Sequence, residues 1–130
     1  MGLILDTNFV ITAERDARRG LTGRAHAFLT SYASETFHIT FTVAGELACG
    51  PSAAARRDWE RLCRPYPILP WTKEISWHYG ETYRALAPKG QLIGGNDLWI
   101  AATALAHGFG VVTNNTNEFR RVPGLVVEGF

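Results

Sequence analysis

The chain begins MGLILDTNFV, residues 1–10, and an apolar run at positions 3–5 stops abruptly at Asp6-Thr7-Asn8. Three apolar residues are too few for a helix and suit a short buried strand. Runs of the same kind return as HITFTV at 38–43, PIL at 67–69, GVV at 110–112 and LVV at 125–127. They are rich in β-branched or large apolar residues, as strands are. Longer amphipathic stretches separate them, and such alternation is the signature of βαβ units around a parallel sheet. The sequence therefore predicts an α/β domain with a central, mainly parallel sheet of about five strands.

The stretches between the runs read as helices. TGRAHAFLTSYA at 22–33 starts at a capping residue, Thr22, and sets Ala25, Phe28, Leu29 and Tyr32 on one face. SAAARRDWERLC at 52–63 turns Trp59, Leu62 and Cys63 inward and a string of arginines outward. A third helix, capped by Thr72, carries Ile75, Tyr79, Tyr83 and Leu86 and stops before Pro88. NDLWIAATALAHG at 96–108 is capped by Asn96, has Asp97 in its first turn where the helix dipole favours an anion, and ends at Gly108. Its body is apolar nearly all round, so it is expected to be buried on more than one side.

A chain of 130 residues suits one domain spanning 1–130, with a core of useful size. A net charge of +1 excludes a molecule that attracts nucleic acid by its overall field, so any polyanion contact must be local. The two cysteines, Cys49 and Cys63, form no C-x-x-C pair, which argues against a zinc site or a disulfide scaffold and fits a reducing cytosol. No apolar run approaches the roughly 18 to 20 residues of a membrane span. The first residues lack the basic segment of a secretory signal. A cytoplasmic protein without a membrane partner is expected.

Four acids then fall at one place in the predicted fold. Asp6 follows the first strand, Glu46 lies just beyond the second in TVAGELACG, Asp97 opens the buried helix, and Glu118 follows the fourth strand in TNNTNEF. In a parallel sheet the strand ends that lead into helices share one edge, and ligands bind in the crevice there. Each acid alone has an ordinary structural use. Together they repel, by about 4 kcal/mol for two unit charges about 4 Å apart at an effective dielectric of about 20. A cation offsets that repulsion, and Mg²⁺ or Mn²⁺ takes such oxygen ligands. Apart from Cys49, three residues after Glu46, no histidine or cysteine stands beside these acids, which disfavours zinc. A metal so held lowers the pKa of a bound water and stabilises charge on a phosphoryl oxygen. Thr7, Asn8, Asn96 and Thr113 are placed to support the carboxylates through hydrogen bonds.

The motifs LDTNFV, TVAGELACG, GGNDLWIAATALAHG and VVTNNTNEFRRVPGLVVEGF, in this order, make the chain resemble a PIN-domain ribonuclease, in particular the VapC-type toxin of a VapBC toxin–antitoxin pair. The resemblance implies a three-layer α/β/α fold and an acidic site at Asp6, Glu46 and Asp97. It further implies Mg²⁺ or Mn²⁺ dependence, RNA cleavage by metal-activated water, a homodimer, and a cognate VapB-type antitoxin whose tail occupies the active-site groove. Many PIN domains carry a further acid after the strand that here reads GVVT. Asn115 stands at that position, with Glu118 three residues later. Either the Asn115 carbonyl or the Glu118 carboxylate completes the site, and one metal or two remains open. A catalytically degenerate PIN module that binds nucleic acid or protein is the alternative. A phosphotransfer receiver or a haloacid-dehalogenase phosphatase fits poorly, because Asn8 occupies the place of the second acid that the latter needs.

RNA needs local positive charge. Arg15, Arg18, Arg19 and Arg24 follow the first site motif closely, and Lys89 approaches Asp97. Of these, Arg15, Arg19 and Lys89 are predicted to touch phosphates. The stripe Arg56, Arg57, Arg61 and Arg64 reads as a solvated face, and the aromatic residues at 71–83 read as core or dimer contacts.

Overall fold

The computed structural model describes residues 2–130. Five strands form one sheet: β1 (Gly2–Leu5), β2 (Thr36–Thr40), β3 (Ile68–Leu69), β4 (Gly110–Val112) and β5 (Val127–Glu128). Their order is β3-β2-β1-β4-β5, and all four pairings are parallel. β1 is buried along its whole length at the centre, as its unbroken apolar run predicts. Seven helices flank the sheet: α1 (Thr7–Arg18), α2 (Arg24–Ser31), α3 (Phe41–Ala48), α4 (Arg56–Cys63), α5 (Lys73–Leu86), α6 (Gly95–His107) and α7 (Thr116–Phe119). Strand order reverses between β1 and β4. The segments leaving these two strands diverge there, which opens a crevice at the C-terminal edge of the sheet.

Several boundaries depart from the sequence reading for local reasons. The apolar run at 38–43 divides: Thr40 ends β2 and caps α3, its side chain accepting from Val43 N at 3.1 Å. Helix α1, which apolar periodicity did not reveal, starts directly after β1 because Asp6 caps it. Thr22 does not cap α2; Gly23 occupies that position without a side-chain bond. Nor does Asn96 cap α6. Gly94 and Gly95 let the chain enter two residues earlier, so Asn96 becomes the second helical residue and Asp97 the third. The stretch at 52–63 is a 3-10 turn at Pro51–Ala53 followed by α4. Thr72 does cap α5, accepting from Ile75 N at 3.3 Å. Gly108 ends α6 with φ of 70°, a left-handed conformation that a side chain would strain.

The core joins both faces of the sheet. α6 buries Leu98, Ile100, Ala101, Ala102 and Ala104, as its all-round apolar body predicts. Phe9, on the first turn of α1, is 0% exposed and meets Phe28 and Phe130 edge-on, at centroid distances of 5.9 and 4.7 Å. The last residue of the chain is thereby packed against the helix that starts at Asp6. The aromatic stretch at 71–83 is not core: Trp71, Trp77 and Tyr83 are exposed, and only Tyr79 packs inward, 4.2 Å from Trp99. Replacing Phe9 with Ala is expected to cost about 3–5 kcal/mol in denaturant unfolding, the usual effect of emptying a fully buried aromatic site.

Candidate active site

Asp6 ends β1 and starts α1 at once. Its amide donates to Val112 O at 3.1 Å, which extends the β1–β4 ladder, and its Oδ1 accepts from Phe9 N at 2.9 Å as the helix cap. At 6% exposure it is the only charged side chain among the described residues that is fully buried. Its carboxyl also takes a hydrogen bond from the Thr113 side chain, and Thr113 stands at the end of β4 with no exposure. The reversal of strand order thus sets Asp6 and Thr113 side by side.

The other acids reach the same crevice from helices. Glu46 lies on α3, half-buried, and its Oε1 accepts from Thr7 Oγ1 at 2.8 Å. Asp97, in the first turn of α6, accepts from Asn115 Nδ2 at 3.3 Å through Oδ2. The same nitrogen donates to Glu118 Oε2 at 3.0 Å, and the Asn115 amide donates to Thr113 Oγ1 at 2.8 Å. Thr113 and Asn115 therefore link Asp6, Asp97 and Glu118 by hydrogen bonds, while Glu46 joins them through Thr7, the residue next to Asp6.

Burial raises the Asp6 carboxyl above its ordinary range, against hydrogen bonds from Thr113 and Phe9 that lower it, and the charge of Glu46 raises it further. Burial is also the main cause of the raised Asp97 carboxyl. The Asn115 bond opposes it, and the charges of Glu46, Asp6 and Glu118 add to it. Asp97 thus lies within the field of the other three carboxylates, and Asp6 and Asp97 hold protons more tightly than free side chains do.

Not every residue expected at the site is there. Asn8 and Asn96 are exposed and hydrogen-bond none of the acids among the described residues. Arg15 and Arg19 are carried away from the crevice by α1. At a rise of about 1.5 Å per residue they stand roughly 14 and 20 Å along the helix from Asp6. Arg15 lies 3.7 Å from Asp16, and Arg18 lies 3.7 Å from Glu14, so much of this cluster is already paired. Lys89, exposed in the 3-10 turn Ala87–Lys89, does border the loop that enters α6. Sequence reasoning missed the brace beneath the acids. Trp99, two residues after Asp97, stands 5.9 Å from Phe41 and 4.2 Å from Tyr79, which ties α6 to α3 and α5. Trp59 Nε1 donates to Ala44 O at 2.8 Å and holds α4 on α3.

An all-parallel α/β sheet with a carboxylate-lined crevice at its strand reversal is the architecture of the PIN domain, and residues 3–125 match that family. Ribonuclease VapC2 of Rickettsia felis is 32% identical over 102 residues, which cover 75% of this chain and 76% of the relative. A crystal structure of VapBC2 from Rickettsia felis, bound to a DNA fragment from their promoter, superposes with a TM-score of 0.81 at 25% identity, covering 100% of this chain and 99% of the other. VapBC-1 from nontypeable Haemophilus influenzae gives a TM-score of 0.80 at 26% identity, with coverage of 99% and 98%. The chain belongs to the PIN-domain family, among the VapC ribonucleases.

The raised carboxyls make a stability prediction with a definite sign. The folded chain binds protons at Asp6 and Asp97 more tightly than the unfolded chain, whose carboxyls titrate near 3.8. This contribution to stability is fully present below that value and is lost as pH rises through the raised ones. Asp6→Asn keeps an oxygen acceptor for the Phe9 amide and an equally good cap, and it removes the buried charge. In chelator-treated buffer its melting temperature is expected to exceed the wild type near neutral pH, with the gain shrinking as pH falls toward 3.8.

Proposed function

We propose that this chain is a metal-dependent endoribonuclease, the toxin of a type II toxin–antitoxin pair, which hydrolyses RNA phosphodiester bonds in the crevice between β1 and β4. The observation that carries the proposal is the meeting of Asp6, Glu46, Asp97 and Glu118, from four distant segments, in one electrostatically coupled group. A set made only of oxygen donors suits Mg²⁺, with Mn²⁺ able to substitute. Among the described residues no three of these groups stand close enough to ligate one ion unaided. Mg²⁺ matches that spread, because it keeps several of its waters and needs only one or two direct carboxylates.

Asp6, Glu46 and Asp97 would hold the cation partly through its own waters, and Glu118 would add the fourth charge. Thr7 fixes the Glu46 carboxylate and Thr113 fixes that of Asp6. When bound, a divalent cation supplies a nucleophilic water at neutral pH and counter-charge for the phosphoryl oxygens. The hydrogen bond between Asn115 and Glu118 favours this reading over a degenerate module, since the fourth acid is displaced by three residues rather than lost.

Lys89 meets RNA phosphates from the loop before Asp97. Arg121 Nη1 donates to Leu92 O at 3.3 Å, which ties that loop to the segment after Glu118. Exposed Trp77 and Tyr83 on α5, with Trp71 just before its cap, offer an apolar surface for a second copy of the chain. A cleft of about 550 Å³ between α1, α2 and α4, lined by Val10, Ala13, Leu29, Leu62 and Tyr66, suits the apolar face of an antitoxin segment. Both cysteines are unpaired, and no described helix is long and apolar enough to cross a membrane; a cytoplasmic location accords with both.

Asp6→Asn is expected to lower RNA cleavage by more than the roughly 10- to 100-fold typical of losing an outer partner of a metal site. Undiminished cleavage by this variant, measured on total RNA with Mg²⁺, would refute the mechanism. Lys89→Ala is expected to weaken RNA binding and to reduce the slope of log affinity against log salt by about 0.7, one phosphate contact on a single strand. Arg19→Ala is expected to leave that slope unchanged, and equal effects of the two would contradict the assignment.

A further inference from the structure

Asn115 departs from the local behaviour of its residue type. Asparagine is among the strongest helix N-caps, and Asn115 stands at the N-cap of α7, yet its side chain makes no capping bond. The carboxamide turns instead to the acids. Its single nitrogen carries two hydrogens, and they are shared between Glu118 Oε2 at 3.0 Å and Asp97 Oδ2 at 3.3 Å. Its backbone amide donates to Thr113 Oγ1 at 2.8 Å, and the Thr113 side chain is bonded to Asp6. One residue is therefore linked to three of the four carboxylates.

We propose that the Asn115 carboxamide stands in for the cation while the protein is metal-free, holding Asp97 and Glu118 together, and that it gives way when a divalent ion binds. This inference rests on reading the crevice as the metal centre. A neutral amide can do this because its N–H dipoles face both carboxylates, which otherwise meet across the crevice with only repulsion between them. A cation placed between the same carboxylates must displace the amide hydrogens from at least one of them. An aspartate at this position would add charge for the ion, and it would also leave the metal-free site with five carboxylates and no side-chain amide between Asp97 and Glu118. Asparagine therefore lowers metal affinity and keeps the apo site assembled. It makes Asn115 a positioning residue whose effect appears in the metal-free state first.

The test uses the full chain, with Mg²⁺ and Mn²⁺ as the only added ligands. In nitrogen-15-labelled wild-type protein without metal, the Asn115 side-chain NH₂ signals are expected to show slowed exchange, and saturation with Mg²⁺ is expected to shift them and speed their exchange. By calorimetry, Asn115→Asp is expected to bind Mn²⁺ at least about tenfold more tightly than the wild type, because added ligand charge raises affinity. Its metal-free melting temperature is expected to fall. Asn115→Ala is expected to lower the metal-free melting temperature and, because no amide has to be displaced from Asp97 and Glu118, to bind Mn²⁺ more tightly than the wild type, a gain that a merely structural role for the side chain does not produce. Unchanged NH₂ signals at saturating Mg²⁺, or Asn115→Asp binding Mn²⁺ no more tightly than the wild type, overturns this inference alone. A wild-type chain that binds neither ion overturns it together with the metal-centre reading.

Discussion

Asp6 accepts the Phe9 amide hydrogen through its side chain while its own amide donates to the Val112 carbonyl. One residue thus fastens the central strand, its neighbour β4 and the first helix at the point where strand order reverses. The carboxylate is almost fully buried there, and burial of a charge is unfavourable unless hydrogen bonds or a counter-charge offset it. Thr113 and the Phe9 amide supply part of that compensation. The charge of Glu46 works against that compensation, and the nearby Asp97 is disfavoured as an anion by Glu46, Asp6 and Glu118. A fold selected only for stability would neutralise such a position with an asparagine. Keeping the charge makes sense where a cation is to be held.

Much of the architecture around this point is legible in the sequence because it rests on runs of one residue class. The β1 and β4 segments are unbroken apolar stretches, and α6 is apolar all round, so their burial follows from composition. Less was legible where two signals overlap on the same residues. After His38, every residue of the stretch 38–43 is β-branched or aromatic, but Thr40 is a good cap, and the capping bond converts its second half into helix. Helix α1 is concealed by Val10, Ile11 and Thr12, which favour strands locally; the Asp6 cap and the burial of Phe9 override them.

Asp6, Glu46 and Glu118 were legible because they come soon after strands, and Asp97 because it opens the buried helix; parallel topology brings such positions to one edge. The cations were not, because nearness in sequence to a site motif says nothing about direction. Arg15 and Arg19 follow Asp6 closely along the chain, yet a helix that returns antiparallel to its strand carries them to the other end of the molecule. Asn115 was legible as a substitution but not as a donor to two carboxylates, since that depends on the side chain declining its cap. Sequence alone also divides the aromatic residues poorly. Tyr79 and Trp99 brace the elements bearing Glu46 and Asp97, whereas Trp71 and Trp77 lie open on the surface.

The central claim is that water, activated by a cation held on these carboxylates, attacks the RNA phosphorus, with no part taken by the neighbouring ribose 2′-hydroxyl. Analysis of product ends by mass spectrometry, after incubating purified chain with RNA and Mg²⁺, tests this directly. Linear phosphate ends are expected, with cleavage abolished by chelator and retained when the 2′-hydroxyl at the cut site is methylated. Cyclic 2′,3′-phosphate ends formed equally well in chelator would contradict it.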